Sequence, residues 1–193
     1  LIDAEESWIQ QAIDDFATQM MRRYNTQRVV VFNTYQLYRH DRLAFLEANL
    51  AEAKAEGWHL GAKLVRGAYM EKERDRAQDR GYPSPIQPDK AATDRDFNLA
   101  LELCAANLER MGVCVGTHNE ASSQYMTELM TQQGIAKSDP RVYFAQLLGM
   151  SDHISFNLAE RGYTADRFQA LPSGMARYLS IMIGSISICR SGL

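Results

Sequence analysis

Gly61-Ala-Lys-Leu-Val-Arg-Gly-Ala-Tyr-Met70 is the stretch on which the fold turns. Residues 60–65 form a short apolar run that nevertheless carries Lys63, with Arg66 just beyond it. A run of this length and hydropathy reads as a buried strand. It ends in Gly67-Ala68-Tyr69, two small residues and an aromatic with a hydroxyl. Small residues let a ligand approach the backbone closely, and cations at a strand end hold anionic groups.

The sequence on either side alternates between strand and helix patterns. Upstream, Arg28-Val-Val-Val-Phe32 reads as a strand buried on both faces. Residues 41–56 follow as a helix with Leu43, Leu46 and Leu50 inward, stopped by Gly57. Nearer the start, Leu1-Ile2 reads as the end of a clipped strand. A helix then has Ile9, Ile13, Phe16 and Met20 at helical spacing as its apolar side.

Downstream, residues 71–80 are a strongly charged helical segment, with like charges repelling at Glu71–Asp75 and Lys72–Arg76. The loop Gly81-Tyr-Pro-Ser-Pro-Ile-Gln-Pro88 contains three prolines, so a new helical run starts at Lys90. Residues 93–110 read as helix with Leu99, Leu103 and Leu108 on the apolar side. The strand 113–115 ends in Gly116-Thr-His-Asn-Glu120. A helix over 121–133 is capped by Gly134, and the strand 142–145 ends in Gln146-Leu-Leu-Gly-Met150. A short helix reaches Arg161 and is closed by Gly162.

Strands alternating with helices imply a parallel sheet. A doubly wound sheet would show a Gly-rich phosphate fingerprint after its first strand, and none is present. The alternative is a (βα)8 TIM-type barrel, which normally takes roughly 250 residues. With five or six βα units and an opening in mid-strand, the 193 residues read as one incomplete barrel domain.

Composition narrows the function classes. A net charge of −3 gives no reason to expect nucleic acid as a partner. Three cysteines without metal spacing read as buried thiols in a reducing compartment. No run approaches the roughly 18 apolar residues of a membrane span, so the expected state is soluble or peripherally attached.

In barrels the chemistry gathers at the carboxyl ends of the strands. There the sequence places Asp3, then Asn33, Thr34 and Gln36, then Lys63, Arg66 and Tyr69. Thr117, His118 and Asn119 follow, and then Gln146. Polar groups at five successive strand ends point to a ligand site. Individually, Lys63 could be a structural lysine paired with Asp3, and His118 a hydrogen-bonded histidine. Neither has neighbours at metal-ligand spacing, so no metal is expected. Cys114 reads as packing, and His40, His59 and His153 as surface residues.

Five motifs together resemble the proline dehydrogenase family: Ile-Asp-Ala-Glu (2–5), Phe-Asn-Thr-Tyr-Gln (32–36), Lys-Leu-Val-Arg-Gly-Ala-Tyr (63–69), Thr-His-Asn (117–119) and Gln-Leu-Leu-Gly-Met (146–150). The likeness is to the single-function, mitochondrial-like branch and covers residues 1–163, with residues 164–193 a divergent tail. It implies a (βα)8 barrel binding FAD at its strand ends. The implied reaction is oxidation of L-proline to Δ1-pyrroline-5-carboxylate, with electrons passed to a membrane quinone. The implied place is the cytoplasm, or the periphery of the inner membrane on the mitochondrial matrix side in a eukaryote.

The resemblance also implies roles. Asp3, Lys63 and Tyr69 would be catalytic. Val31, Asn33, Lys63, Val65, Gly67, Ala68, Thr117, His118, Asn119 and Gln146 would contact the cofactor. A cation such as Lys63 would stabilise the negative charge that a flavin gains on reduction. The sequence departs from the family where Ala170 stands in place of a tyrosine, and where Ile181-Met182 stand in place of an arginine pair that clamps the substrate carboxylate. Two other readings remain open: a Schiff-base barrel lyase using Lys63, and a non-catalytic barrel fragment.

Overall fold

A computed structural model of the chain describes residues 1–168. The elements follow in the order α1 (Ser7–Tyr24), β1 (Asn33–Gln36), α2 (Arg42–Glu56), β2 (Leu60–Val65), α3 (Met70–Arg80) and α4 (Lys90–Ala105). They continue with β3 (Met111–Gly116), α5 (Glu120–Gln132), β4 (Val142–Leu147), α6 (Asp152–Glu160) and β5 (Ala165–Phe168). The five strands form one parallel sheet whose spatial order, β1-β2-β3-β4-β5, is also the chain order. A doubly wound sheet must reverse direction at a switch point. Here nothing reverses, and right-handed crossovers taken always the same way put every helix on one face. The sheet is therefore an arc of a (βα) barrel.

Register and alternation define the two faces. Tyr35, Ala62, Leu64, Val113, Val115, Val142 and Phe144 point to the helix layer and are buried there. Leu46 and Leu50 of α2, Phe97 and Leu101 of α4, and Met126 of α5 pack against them. The alternate residues Thr34, Lys63, Cys114 and Tyr143 lie in one row across the other, concave face. Ile2 makes a single parallel bridge to Asn33, where a preceding strand end would pair.

Four sequence expectations are corrected. Residues 28–32 are not the strand; β1 begins at Asn33. The cause is Asn25, which is fully buried. Its Oδ1 accepts from Val30 N (3.0 Å) and Val31 N (2.8 Å), and its Nδ2 donates to the Val31 and His59 carbonyls. One carboxamide thus takes the backbone groups a strand ladder would use.

The apolar side read into α1 is not its packed face. Phe16 is 43% exposed and Ile9 is exposed too, whereas Gln10, Asp14, Ala17, Thr18 and Met21 are buried. A polar cluster explains the reversal: Asp14 accepts from Gln10 Nε2 (3.0 Å), Asn33 Nδ2 (2.8 Å) and Arg42 Nη2 (2.8 Å). The helix expected to reach residue 110 runs from Lys90 to Ala105. It buries Phe97, Ala100, Leu101 and Cys104, while Leu99 is exposed. Finally, β5 has no counterpart in the sequence reading; its four residues, Ala-Asp-Arg-Phe, include two charges.

Candidate functional site at the strand ends

Lys63 lies on the concave face between Thr34 of β1 and Cys114 of β3. Its side chain is 13% exposed, and Nζ donates to Asp3 Oδ1 at 2.5 Å. Thr34 Oγ1 lies 2.8 Å from the Ile2 carbonyl and 3.2 Å from the same Asp3 oxygen, so the chain start is tied to β1 as well. Gly116 lets β3 approach β2 closely beside the lysine: a Cβ there would sit 2.8 Å from the Leu64 carbonyl oxygen and 3.2 Å from Val65 Cγ1, but at an ordinary 3.7 Å from Lys63 Cε.

After Val65 the chain turns away, and Gly67 and Ala68 are exposed. A Cβ on Gly67 would meet only Met70 Sδ, at 3.9 Å, so this backbone is open on the solvent side. Tyr69 has φ = 56°, a left-handed conformation that a bulky residue seldom adopts, and it begins α3. Its hydroxyl donates to Glu5 Oε2 at 3.1 Å. Burial, and then the Glu5 charge, push the phenol up to about 12.

Arg66 turns the other way, into the helix layer. It donates to Ser122 Oγ (2.6 Å), pairs with Asp94, and stacks over Phe97 at 5.0 Å; burial lowers its pKa. With Met70, Arg74, Lys90, Thr93 and Asp94 it lines a cavity of about 330 Å³. Three cations at the N-terminus of α4 suit an anionic group. Asp94 takes two of them, since Lys90 Nζ also donates to it at 2.5 Å, and Arg74 pairs with Glu71 at 2.8 Å. The cavity was not foreseen in the sequence, because Arg74 and Lys90 read as solvent charges on separate helices.

The remaining expected contacts separate into two groups. His118 follows β3, and its Nδ1 is buried without a hydrogen-bond partner among the described residues. Beside it, Asn119 is committed to capping α5 through Ser122 N (2.9 Å), and Thr117 Oγ1 accepts from Asn119 N (3.0 Å). Gln146 is buried on the helix side, where it donates to the Thr117 carbonyl (3.2 Å) and accepts from Ser155 Oγ (2.7 Å). Asn33 faces α1 and bonds Asp14, and Val31 packs against the helix-side core. Asp3, Lys63, Val65, Gly67, Ala68, Tyr69 and His118 thus border the strand ends, while Asn33, Val31 and Gln146 hold the scaffold around them.

A cation on the concave face, an unpartnered imidazole nitrogen, an open small-residue backbone and a cation-lined cavity suit a flat ligand with polar edges and anionic groups. A sequence profile described as proline dehydrogenase matches residues 1–177. The chain belongs to the proline dehydrogenase family. It is 38% identical to proline dehydrogenase 1, mitochondrial, of Drosophila melanogaster over 178 residues, which is 87% of this chain and 26% of that protein. Identity to the Homo sapiens protein of the same name is 39% over 171 residues, 87% of this chain and 28% of that protein. The hydroxyproline dehydrogenase of Xenopus laevis is 38% identical over 178 residues, 90% of this chain and 38% of that protein. The chain therefore spans about a quarter to two fifths of the length of these proline dehydrogenase family relatives.

Among solved structures, proline utilization A from Bdellovibrio bacteriovorus, inactivated by N-propargylglycine, superposes with a TM-score of 0.80 at 21% identity. It covers 86% of this chain and 17% of that one. This likeness speaks for the fold, and it agrees with the barrel arc read from strand order. The family departures at Ala170 and at Ile181-Met182 lie outside the described residues.

Proposed function

We propose that this chain carries the cofactor floor of a barrel that oxidises L-proline to Δ1-pyrroline-5-carboxylate with FAD, the electrons passing on to a membrane quinone. The observation that supports it most is that Lys63 and His118, whose Nδ1 has no hydrogen-bond partner among the described residues, lie on and just past neighbouring strands, beside the open backbone of Gly67-Ala68. When bound, FAD would accept the hydride from the proline ring. Lys63, oriented by Asp3, would offer positive charge to the electron-rich edge of the flavin ring. His118 Nδ1 would hydrogen-bond the cofactor. Arg66, Arg74 and Lys90 would offer cations to its diphosphate, in competition with Asp94 and Glu71. Tyr69, a neutral phenol well above physiological pH with its hydroxyl held by Glu5, would wall the substrate side.

Two observations bear on other readings. Relatives named hydroxyproline dehydrogenase fall in the same range of identity, so hydroxyproline is the competing substrate. Schiff-base chemistry needs Lys63 as a free amine, and Asp3 at 2.5 Å makes it an ion-pair partner instead. Among the described residues no helix is long and apolar enough to cross a membrane, which in this reading makes the encounter with quinone a peripheral one. Several relatives are named mitochondrial, which fits the matrix side of the inner membrane for a eukaryotic source.

The test is titration of the purified chain with FAD, followed by fluorescence quenching. Proline and hydroxyproline are then supplied in turn with a dye as electron acceptor. Saturable binding and proline-dependent dye reduction are expected. A protein that stays colourless with excess FAD would overturn the cofactor reading, and borohydride trapping of a carbonyl compound on Lys63 would favour the lyase.

A further inference from the structure

We infer that Glu73 is a positioning residue that fixes the start of α1 against α3, and so sets Glu5 on Tyr69; its consequence for the cofactor rests on the reading above. The starting point is an uncapped helix. α1 begins at Ser7 behind Glu6, which makes no side-chain cap, and its first turn carries no acid of its own. The amides of a first turn need acceptors from outside the helix. Glu73, 66 residues away on α3, supplies one: Ser7 N donates to its Oε1, and Ser7 Oγ donates to its Oε2 at 2.7 Å.

Glu73 also stands in the first turn of α3, whose own cap position is the left-handed Tyr69, which makes no side-chain cap bond. The positive ends of two helices therefore converge on one carboxylate, which is 2% exposed. A carboxylate buried to this degree is tolerated only when its oxygens are satisfied, and here both are.

Around this contact lies a ladder in chain order. Asp3 meets Lys63, Glu5 meets Tyr69, Glu6 meets Lys72, Ser7 meets Glu73, and the Trp8 ring lies 5.4 Å beneath Arg76. Glu6–Lys72 and Trp8–Arg76 involve exposed side chains, and such contacts hold little by themselves. Ser7–Glu73 is the buried rung, so it sets the register of the rungs beside it. Asp3 is held independently by Thr34, and Gln36 Nε2 donates to the Glu5 carbonyl at 2.7 Å. Without Glu73 the start of α1 loses its buried tie to α3, and the Glu5 side chain loses its register on Tyr69.

The experiment compares the full chain with Glu73→Ala, Glu73→Gln and Ser7→Pro. Three readouts are used: hydrogen exchange by segment, Tyr69 titration, and FAD affinity. Titration is followed at 295 nm against the same background carrying Tyr69→Phe. Glu73→Ala is expected to speed exchange of residues 5–10 about tenfold, with β2 and β3 unchanged. It is expected to move the Tyr69 titration from about 12 toward its ordinary value near 10. FAD affinity should fall about tenfold. Glu73→Gln keeps an acceptor for Ser7 N and should restore most of all three.

Exchange and titration unchanged in Glu73→Ala would overturn the inference. So would a loosening spread evenly over the sheet, which marks a merely structural residue. Should Glu73→Ala fail to fold, Ser7→Pro decides, since it removes both Ser7 donors at a first helical position that accepts proline: faster exchange confined to residues 5–10 supports the inference, and no change overturns it. If the unmodified chain binds no FAD, the cofactor reading falls, while exchange and titration still decide the role of Glu73.

Discussion

Lys63 and Asp3 meet at 2.5 Å across sixty residues of sequence, the lysine largely buried on the concave face of β2 and the aspartate 54% exposed to solvent. The asymmetry matters. Water can take over the aspartate if the lysine is lost, but Thr34, Cys114 and Tyr143, which share its row on the concave face, carry no positive charge to replace it. The pair therefore contributes little to folding, and in the proposed function its cation is what an anionic or electron-rich group at the strand end would meet.

Lys63→Met should accordingly change stability by less than about 1 kcal/mol, measured by thermal unfolding. The same change should weaken FAD binding about tenfold or more, or ~1.4 kcal/mol. Lys63→Arg keeps the charge and should retain most of the affinity. Equal losses for the two variants would show that side-chain shape, not charge, is what the site uses.

Tyr69 predicts a pH dependence whose sign follows from its environment. Burial, with Glu5 next to it, favours the neutral phenol and raises the folded-state pKa to about 12. The unfolded chain, titrating near 10, releases that proton first as pH rises. The stabilisation is thus complete below pH ~10 and is lost between pH ~10 and ~12. Tyr69 is 38% exposed, so screening holds its size to about 1 kcal/mol or less. Tyr69→Phe should flatten the slope of urea midpoints in that window by this amount, and a slope that persists unchanged would assign it to other groups.

What was legible in the sequence had one physical source. β2 and β3 are buried on both faces, so their apolar runs are continuous; β2 was read to its boundaries, while β3 runs Met111–Gly116 rather than 113–115 because Gly112 and Gly116 interrupt the apolar run. Gly57 and Gly162 were readable because left-handed helix exits favour glycine, and both have φ above 80°. The misreadings also share a source, which is polar side chains doing what apolar pattern or backbone normally does. Asn25 draws Val30 and Val31 out of the ladder, so the most strand-like run in the region is not a strand. Asp14, Gln10, Asn33 and Arg42 form a buried polar cluster, so α1 packs through residues that pattern alone assigns to solvent. At the site, Lys63 and His118 were legible as polar residues at strand ends. Glu73 was hidden in a charged run, because its partner Ser7 is distant in sequence.

Asn25→Ala tests the first of those causes. The substitution removes two donated and two accepted hydrogen bonds at a fully buried position. At roughly 0.5–1.5 kcal/mol each, the loss should be about 3 kcal/mol by urea unfolding. Faster hydrogen exchange should be centred on Val30, Val31 and His59. A loss below about 1 kcal/mol would mean that water replaces the carboxamide and that it does not set the start of β1.

Gly61 and Gly57 make a matched pair. A Cβ on Gly61 would lie 2.2 Å from the Val31 carbonyl oxygen and 2.7 Å from Val29 Cγ1, so backbone as well as side chain must move. On Gly57 it would meet nothing, and the only penalty is a φ of +82°. Gly61→Ala should therefore cost about 3 kcal/mol, and Gly57→Ala about 1 kcal/mol. The reverse order would contradict the close approach of residues 29–31 to the start of β2.

The buried pair of Asp14 and Arg42 makes the most severe prediction. Their side chains are nearly inaccessible, and Asp14 also receives Gln10 and Asn33, so its carboxylate is satisfied from three sides. Asp14→Ala strands the Arg42 guanidinium over the Phe45 ring, 4.2 Å away, with only Asp41 at 3.9 Å as a distant counter-charge. Breaking one half of a buried ion pair should cost about 4 kcal/mol, close to the whole stability of many small domains. Replacing both, as in Asp14→Leu with Arg42→Met, removes the stranded charge and should cost clearly less than Asp14→Ala alone. Calorimetric melts of the two variants decide the point. If the double change is the worse, the pair does more than neutralise itself, and Asn33 and Gln10 depend on the carboxylate for their own placement.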